Sequence, residues 1–525
     1  MTVRAKPIIE KRKFRLWKWF AAAAAVIVGA VGAVTLTTYS GGFGATNTNL
    51  EITANGAFRT IRVPPGGSLQ AAVNSANAGD TIELQAGATY KGGIKLPNKP
   101  GSEFIVIRTS AKDTELPDEN TRLDPKRYAA ALPKIVAGQK GDPVVMTNAG
   151  AHHYRFVGID FGPTIEGYYN IVQIGTSEES TVDELPHHIE FDHCYLHGSP
   201  TDGQRRGIAA NGRFIKITNS YFSDFKRLGE ESQAIAVWAA DGPIEIVNNY
   251  LEAAAESILF GGAQSKLGLV PGNAVIRSNW LNKQIEWRNT KWVVKNFLEI
   301  KSGRNIKIEN NLMTNNWTSA QEGTGILFRT GADSGKSTVV EDVEFSSNIV
   351  RGSGSAITIL GSEGNGGRRL TIRNNVFEDI NGKKWEGRGF FLKPTTWDGV
   401  MIENNTVIND GAITIAFGDP IRQMVFRNNI VFQNEYGFFG DGAGPGRPAI
   451  AKYFPGASIT NNAIVGGDSK EYGPGNVYPA GISQIGFVDP SASDYRLRSN
   501  SPFRTKGFGG KQIGADLDPK TVGGR

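Results

Sequence analysis

The chain has a single cysteine, Cys194, which excludes an intramolecular disulfide and any zinc site built on several thiolates. Histidine is nearly as scarce: there are six, all between His152 and His197. Net charge is absent from most of the chain as well. The formal +6 over 525 residues suggests a basic protein, but seven of the 57 Lys and Arg and one of the 51 Asp and Glu fall in residues 1–18, which leaves 50 of each sign in the remainder. No global basic field is left, so nucleic acid is not an expected partner, and attraction to an acidic polymer must come from local patches. Helical periodicity is rare too. It shows only over Ser68 to Asn77, where Leu69, Ala72, Val73 and Ala76 form one apolar face behind a Ser N-cap.

Charge and apolarity are unevenly placed at the N-terminus. A basic region, 1–18, precedes the segment 19–38, in which Trp19 to Leu36 is 18 uncharged, mostly apolar residues. This is the pattern of a signal peptide or a membrane anchor, with Val31-Gly32-Ala33 as a small-residue cleavage candidate. It predicts export to the periplasm, the cell surface or the medium, with membrane attachment if the segment is uncleaved. Residues 39–55 read as a linker.

What is plentiful is glycine, 65 residues, about 12% against a usual ~7% and without a triplet period, which implies many turns. The turns punctuate a repeat: apolar, any, apolar, any, then a polar pair rich in Asn, then apolar residues. Ile189-Glu-Phe-Asp-His-Cys-Tyr-Leu, Ile215-Lys-Ile-Thr-Asn-Ser-Tyr-Phe and Ile244-Glu-Ile-Val-Asn-Asn-Tyr-Leu are three copies, and further ones begin at Ile306, Val343, Leu370, Val400, Met424 and Ala457. The second member of the pair recurs from Ile159 to Asn462 at steps of 24 to 37 residues, the irregularity of a solenoid with variable loops. Apolar residues at period two make a strand with one buried face. Asn tolerates the left-handed corner that ends such a strand, and its amides can stack from coil to coil. The expected fold is all-β: a single-stranded right-handed parallel β-helix over 56–516, with about 11 or more coils, a short N-terminal capping helix, a tail over 517–525, and a monomeric state.

Val63-Pro-Pro-Gly-Gly-Ser-Leu-Gln-Ala-Ala-Val followed by Ala78-Gly-Asp-Thr-Ile-Glu-Leu resembles the first-coil signature of the pectin-lyase-like parallel β-helix superfamily, and Ser501-Pro-Phe to Ile513-Gly-Ala-Asp resembles a common ending. The resemblance spans roughly residues 60–516. His187-His-Ile-Glu-Phe-Asp-His-Cys-Tyr-Leu-His-Gly and Trp292-Val-Val-Lys-Asn-Phe-Leu-Glu-Ile-Lys are similar to a set of exported bacterial β-helix proteins.

A second strand series lies between the Asn corners: Leu298-Glu-Ile-Lys301, Ile326-Leu-Phe-Arg329, Ile357-Thr-Ile-Leu360, Phe390-Phe-Leu-Lys393 and Ile413-Thr-Ile-Ala416. With first and third positions inward, an outward column reads Lys301, Arg329, Leu360, Lys393, Ala416, with Glu299 beside Lys301. Stacked cations should depress the lysine pKa, and a lysine made partly neutral is a base. β-Elimination of a uronate needs a cation on the sugar carboxylate and a base for the α-proton, roles that Arg329 and Lys301 can fill. The plainer reading is a pair of solvated, salt-bridged cations on a strand face.

Lys301-Ser-Gly-Arg-Asn305 and Phe328-Arg-Thr-Gly331 also resemble the lysine and arginine motifs of the chondroitinase B and alginate lyase family. That resemblance implies Lys301 and Arg329 as catalytic residues, an acidic polysaccharide as partner, and calcium as the cofactor to consider. It departs from the family pattern at Thr330, where the family tends to have His, in the inserted Thr314 to Gly323, and in the spacing of Glu299, which is not that of the calcium carboxylates.

Seven of nine tryptophans fall between 238 and 397. Trp238, Trp287, Trp292 and Trp317 are candidate sugar platforms, together with Glu299 and Lys393 as substrate contacts; the alternative is that they pack loops onto the solenoid. His153, His188, His193 and His197 are candidate ligands for a divalent transition metal, and Asp192-His193 a candidate oriented base, although Asp192-His193-Cys194 also falls on the Asn-corner register. The paired aspartates and Gly-His-Gly run of polygalacturonase-type hydrolases are missing. The sequence therefore predicts a polysaccharide lyase, with a non-catalytic glycan-binding solenoid and a uronate C5-epimerase as alternatives.

Overall fold

The computed structural model describes residues 50–167 and 169–524. The basic region and apolar segment over 1–38 lie outside the described residues; within them, no helix is long and apolar enough to cross a membrane.

Three long sheets of 15, 13 and 12 strands run the length of the molecule. Apart from the first pair of the 15-stranded sheet, every neighbour within them is parallel and comes from the next coil of the chain, so the architecture is a right-handed parallel β-helix with twelve strands in its third sheet closing twelve coils. The repeat forms the first sheet: Ile215 pairs with Ile244, Ile306 with Val343, Leu370 with Val400 and Val400 with Met424. These side chains point inward and are all but excluded from solvent, as period-two alternation requires.

The polar pair that follows divides its work between its two members. The first takes the left-handed conformation, as at Asn248 (φ 57°), Ser278 (φ 57°), Asn310 (φ 57°) and Asn374 (φ 54°), and so turns the chain into the second sheet. The second stacks. Nδ2 of Asn249 donates to Oδ1 of Asn279 at 3.0 Å, Asn279 to Asn311 at 3.0 Å, and Asn311 to Asn348 at 2.9 Å, and the same ladder continues through Asn375, Asn405, Asn429 and Asn462 to Asn476. Each Oδ1 also accepts the backbone N–H of the preceding rung's Asn, so these buried amides are fully used.

The ends are closed as well. The helix Leu69–Ser75 is capped by Ser68, whose Oγ accepts from Ala71 N at 3.2 Å, and buries Leu69, Ala72 and Val73 at the first coil. At the far end the helix Arg447–Tyr453 packs on the strand Phe438–Gly440 and puts Tyr453 and Phe454 into the core.

Two expected boundaries move. Glu51–Asn55, expected in the linker, is a strand paired antiparallel to Phe58–Val63. The tail is not free: Val522 joins Ile349, Val376, Ile430, Phe503 and Ile513 in a second apolar cluster. Gly523 N donates to Asn310 O at 2.9 Å and Asp516 N to Asn374 Oδ1 at 2.8 Å. The C-terminal segment thus straps the outside of the Asn corners.

Candidate functional site on the third sheet

Lys301 follows the strand Leu298–Ile300 and Arg329 ends the strand Thr324–Arg329; with Ile300 opposite Phe328, the two stand on adjacent rungs. Their ammonium and guanidinium each meet an acid from a loop. Lys301 Nζ lies 3.3 Å from Asp333 Oδ2 and 3.6 Å from Glu299 Oε1. Arg329 Nη2 donates to Glu363 Oε1 at 2.9 Å, and Ala332 N donates to the other oxygen of Glu363 at 2.7 Å. That backbone bond, with Arg329 beside it, holds the Glu363 carboxyl below the usual carboxylate range. Asp333 and Glu363 are exposed over 46% and 37% of their side chains, whereas Glu299 is wholly buried and Lys301 nearly so. The site therefore has an open rim and a sealed floor. Thr330, which replaces the histidine of the lyase pattern, is buried and accepts the Glu363 N–H on its hydroxyl, so no imidazole stands there.

Two expectations fail on this face. Lys393 does not extend the cation column: its strand begins at Leu392, opposite Ile357, which aligns Lys393 with Thr358 in the Glu299 column and leaves Thr395 opposite Leu360. The slip arises because Phe390 and Phe391 form the preceding corner, Phe391 in the main core and Phe390 in a separate cluster with Ala412 and Ile415. Lys393 Nζ turns instead to both oxygens of Glu322, at 2.7 and 2.6 Å. Nor is the lysine pKa depressed. Burial opposes the charge on Lys301, but Glu299 and Asp333 outweigh it and hold the pKa above the ordinary lysine value.

Behind Lys301 lies a network that the sequence did not reveal. Arg206 Nη1 donates to Asn170 Oδ1 and its Nε to Gln233 Oε1, both at 2.9 Å, and Gln233 Nε2 donates to Glu256 Oε2 at 2.8 Å. Lys295 Nζ is 2.6 Å from Glu256 Oε1, 2.7 Å from Glu231 Oε1 and 3.5 Å from Glu299 Oε2. A chain of polar contacts thus crosses the rungs from Asn170 to Asp333. Burial and the neighbouring Glu299 push Glu256 up, with Lys295 only partly offsetting them. Burial works against Lys295, yet the three carboxylates hold it above the ordinary lysine value. Next to this network, Lys283 is wholly buried, donating to the carbonyls of Ala253, Ala254, Ala255 and Asn296 at 2.8 to 3.0 Å, and burial brings its pKa down to about 7. The available signal was a charge inside an apolar strand, Glu256 in Glu256-Ser-Ile-Leu-Phe260. Its partner stands 39 residues later, at a register that loop lengths alone do not give.

The tryptophans divide. Trp287 and Trp317 are buried together with Trp385, Val294 and Ala254 and pack the 282–295 loop onto the solenoid. Trp292 keeps an accessible portion and lines a surface cavity with Arg227, Leu228, Glu166 and Asp202. Trp238 is also partly exposed, with the Arg206 guanidinium 5.1 Å from its ring centre.

The four candidate histidines do not converge. His153 and His188 stack on adjacent rungs of the first sheet, ring centres 4.4 Å apart. His193 (φ 51°) occupies the corner register, its Nδ1 3.0 Å from Asp192 Oδ1 and its Nε2 3.0 Å from Thr121 O, which ties down a loop. His197 lies in the second sheet, Nε2 3.2 Å from Asp160 Oδ1 and Nδ1 2.8 Å from Gly198 O. Glu299 is wholly buried, and the neighbouring carboxylate of Glu256 is committed to the Lys295 ammonium. It faces Lys295 and Lys301, two cations, and that donor set does not fit calcium.

No family model and no curated protein matches the chain. Solved structures similar to it include a PL6-family alginate lyase, AlyGC, at 14% identity over 88% of this chain and 59% of that one, with a TM-score of 0.44. A mannuronic-acid-specific family 6 polysaccharide lyase from human gut microbiota is 11% identical over 82% and 89%, with a TM-score of 0.43. Pectate lyase Pel9A is 15% identical over 88% and 97%, with a TM-score of 0.35. At these values no residue role is carried across, and what the chain has in common with them is the parallel β-helix fold.

Proposed function

We propose that the protein is an exported, polysaccharide-active β-helix that engages a uronate-containing chain at the Asp333–Glu363 rim, above Lys301 and beside Arg329, and cleaves it by β-elimination. The observation that carries this reading is the pairing of both cations with carboxylates on exposed loop positions, Asp333 and Glu363. A sugar carboxylate entering the rim is the same chemical partner and can take the place of either. Arg329 then neutralises the uronate and makes the α-proton removable. Lys301, in its free-base form, takes that proton; the carbon–hydrogen electron pair becomes the new double bond as the bond to the leaving sugar oxygen breaks, and that oxygen takes a proton from solvent. Because Glu299 and Asp333 raise the Lys301 pKa, the free base is scarce at neutral pH and the rate should climb into the alkaline range.

Lys301→Ala and Arg329→Ala, assayed on a polymer that the wild type converts, test the roles. Loss of a general base should lower turnover by ~10²–10⁴-fold, and undiminished turnover in Lys301→Ala would remove it from the mechanism. The partly exposed Trp292 beside its cavity favours a second reading, a glycan-binding solenoid without chemistry. Retention of polymer without product, insensitive to Lys301→Ala but lost in Trp292→Ala, identifies it. An epimerase shares the proton abstraction and is distinguished by inverted C5 centres in uncleaved polymer. Export rests on the basic and apolar segments before residue 39 and is tested by fractionating cells that express the full chain.

A further inference from the structure

On the outer face of the first sheet, remote in sequence from Lys301, four imidazoles gather on two adjacent rungs. His152 pairs in register with His187. Ordinarily consecutive strand residues point to opposite faces. Here the second member of each pair is left-handed, His153 at φ 56° and His188 at φ 54°, and this brings both rings of a pair to the same side. Nδ1 of His152 lies 2.8 Å from Nδ1 of His153, and Nδ1 of His187 lies 2.7 Å from Nδ1 of His188. Between rungs the rings stack nearly parallel, His152 on His187 at 4.7 Å and His153 on His188 at 4.4 Å.

The same backbone device recurs further along the sheet with different chemistry. Asp342 (φ 54°) and Arg369 (φ 53°) hold this register, and there Glu341 and Asp342 are met by Arg368 and Arg369, charge answered by charge. Among the described residues, no carboxylate answers the histidine rungs in this way. Each Nδ1–Nδ1 contact requires one nitrogen to donate and the other to accept, so a cation entering between the rings takes the place of the shared proton in each pair. His152, His153 and His187 already offer nitrogens within 4.8 Å of one another, and all four side chains are partly exposed, which gives them room to rotate inward. Phe104 and Phe214 pack against the cluster, at 5.2 Å from His153 and 4.4 Å from His188.

We infer that His152, His153, His187 and His188 form a binding site for a divalent late transition metal, copper or zinc, which clamps the two rungs together. Neutral imidazole is the ligand such ions prefer, and a nitrogen-only set closing toward a plane favours copper(II). Burial lowers the His152 pKa, and burial together with the charge of neighbouring rings lowers those of His153, His187 (to about 4) and His188, with Arg213 contributing to the last two. Arg213, in register beside His187, also repels a dication, so the affinity expected is moderate. His193 and His197, each bonded elsewhere, are not ligands.

The test uses the full chain freed of metal by chelator and titrated with Cu²⁺. Expected are one ion per chain, a nitrogen-coupled electron paramagnetic resonance signal, and a rise in melting temperature. Affinity should fall at least tenfold in His153→Ala/His188→Ala and in the milder His152→Asn/His187→Asn, and stay unchanged in His193→Ala/His197→Ala. A circular dichroism spectrum unchanged from wild type shows that each variant is folded. No saturable binding by the folded wild type, binding unaffected by either ligand-pair change, or binding lost in His193→Ala/His197→Ala overturns the site.

Discussion

Lys295 Nζ sits 2.6 Å from Glu256 Oε1, on a carboxylate that exposes none of its side chain. Two further acids, Glu231 and Glu299, face the same ammonium, which is why its pKa lies above the ordinary lysine value despite burial. Removing the lysine alone leaves buried carboxylates uncompensated, so Lys295→Met should destabilise the fold by ~3–5 kcal/mol in denaturant titrations. The pH dependence has a fixed sign. A raised lysine pKa gives stability that is fully present below the unfolded value of about 10.4 and lost as pH rises through the folded one. Melting temperature should fall in this alkaline window, and less steeply in Lys295→Met.

Asp333 is the partner of Lys301 that can be changed without opening the core. Asp333→Asn removes an anion that holds the lysine proton, so the alkaline limb of the turnover profile should move to lower pH while Glu299 keeps the ammonium placed. Initial rates across pH 7 to about 10.4, the ordinary lysine value, check this; an unmoved profile argues that another group sets the limb.

The Asn ladder predicts a local cost. In Asn311→Ala the backbone N–H of Asn279 and one amide hydrogen of its side chain lose their acceptor. At ~1–3 kcal/mol for a buried unsatisfied group, a loss of ~2–4 kcal/mol in equilibrium unfolding is expected. Asn310→Gly, at the left-handed position outside the ladder, should cost less.

The ladder also marks how far the sequence could be read. Period-two apolar residues and a polar pair every 24 to 37 residues are local signals, so the coils, the corner and the capping helix were legible. The pairing of Lys301 with Arg329 was legible for the same reason, since both close a strand of identical pattern. Lys393 was not, because Phe390-Phe-Leu imitates that pattern while two of its residues belong to the corner. The Glu256–Lys295 contact depends on loop length and on burial of both charges, neither of which a single sequence fixes. The histidines were legible only in part: the candidate set of His153, His188, His193 and His197 omits His152 and His187, which strand alternation alone would point away from their neighbours and which the left-handed φ of His153 and His188 brings to the same side.

The two accessible and two buried tryptophans should separate by assay. Trp317→Ala removes a side chain packed with Trp287 and Trp385 and should cost ~3–5 kcal/mol of stability. Trp292→Ala should leave unfolding nearly unchanged and weaken retention on immobilised acidic polysaccharide, which affinity electrophoresis measures.

The central claim is chemical and is tested most directly by ultraviolet absorbance of the full chain mixed with a panel of purified polyuronates at alkaline pH. The account predicts a rising signal from unsaturated uronate on at least one polymer, abolished by Lys301→Ala. A flat trace on every polymer that the protein retains would contradict it.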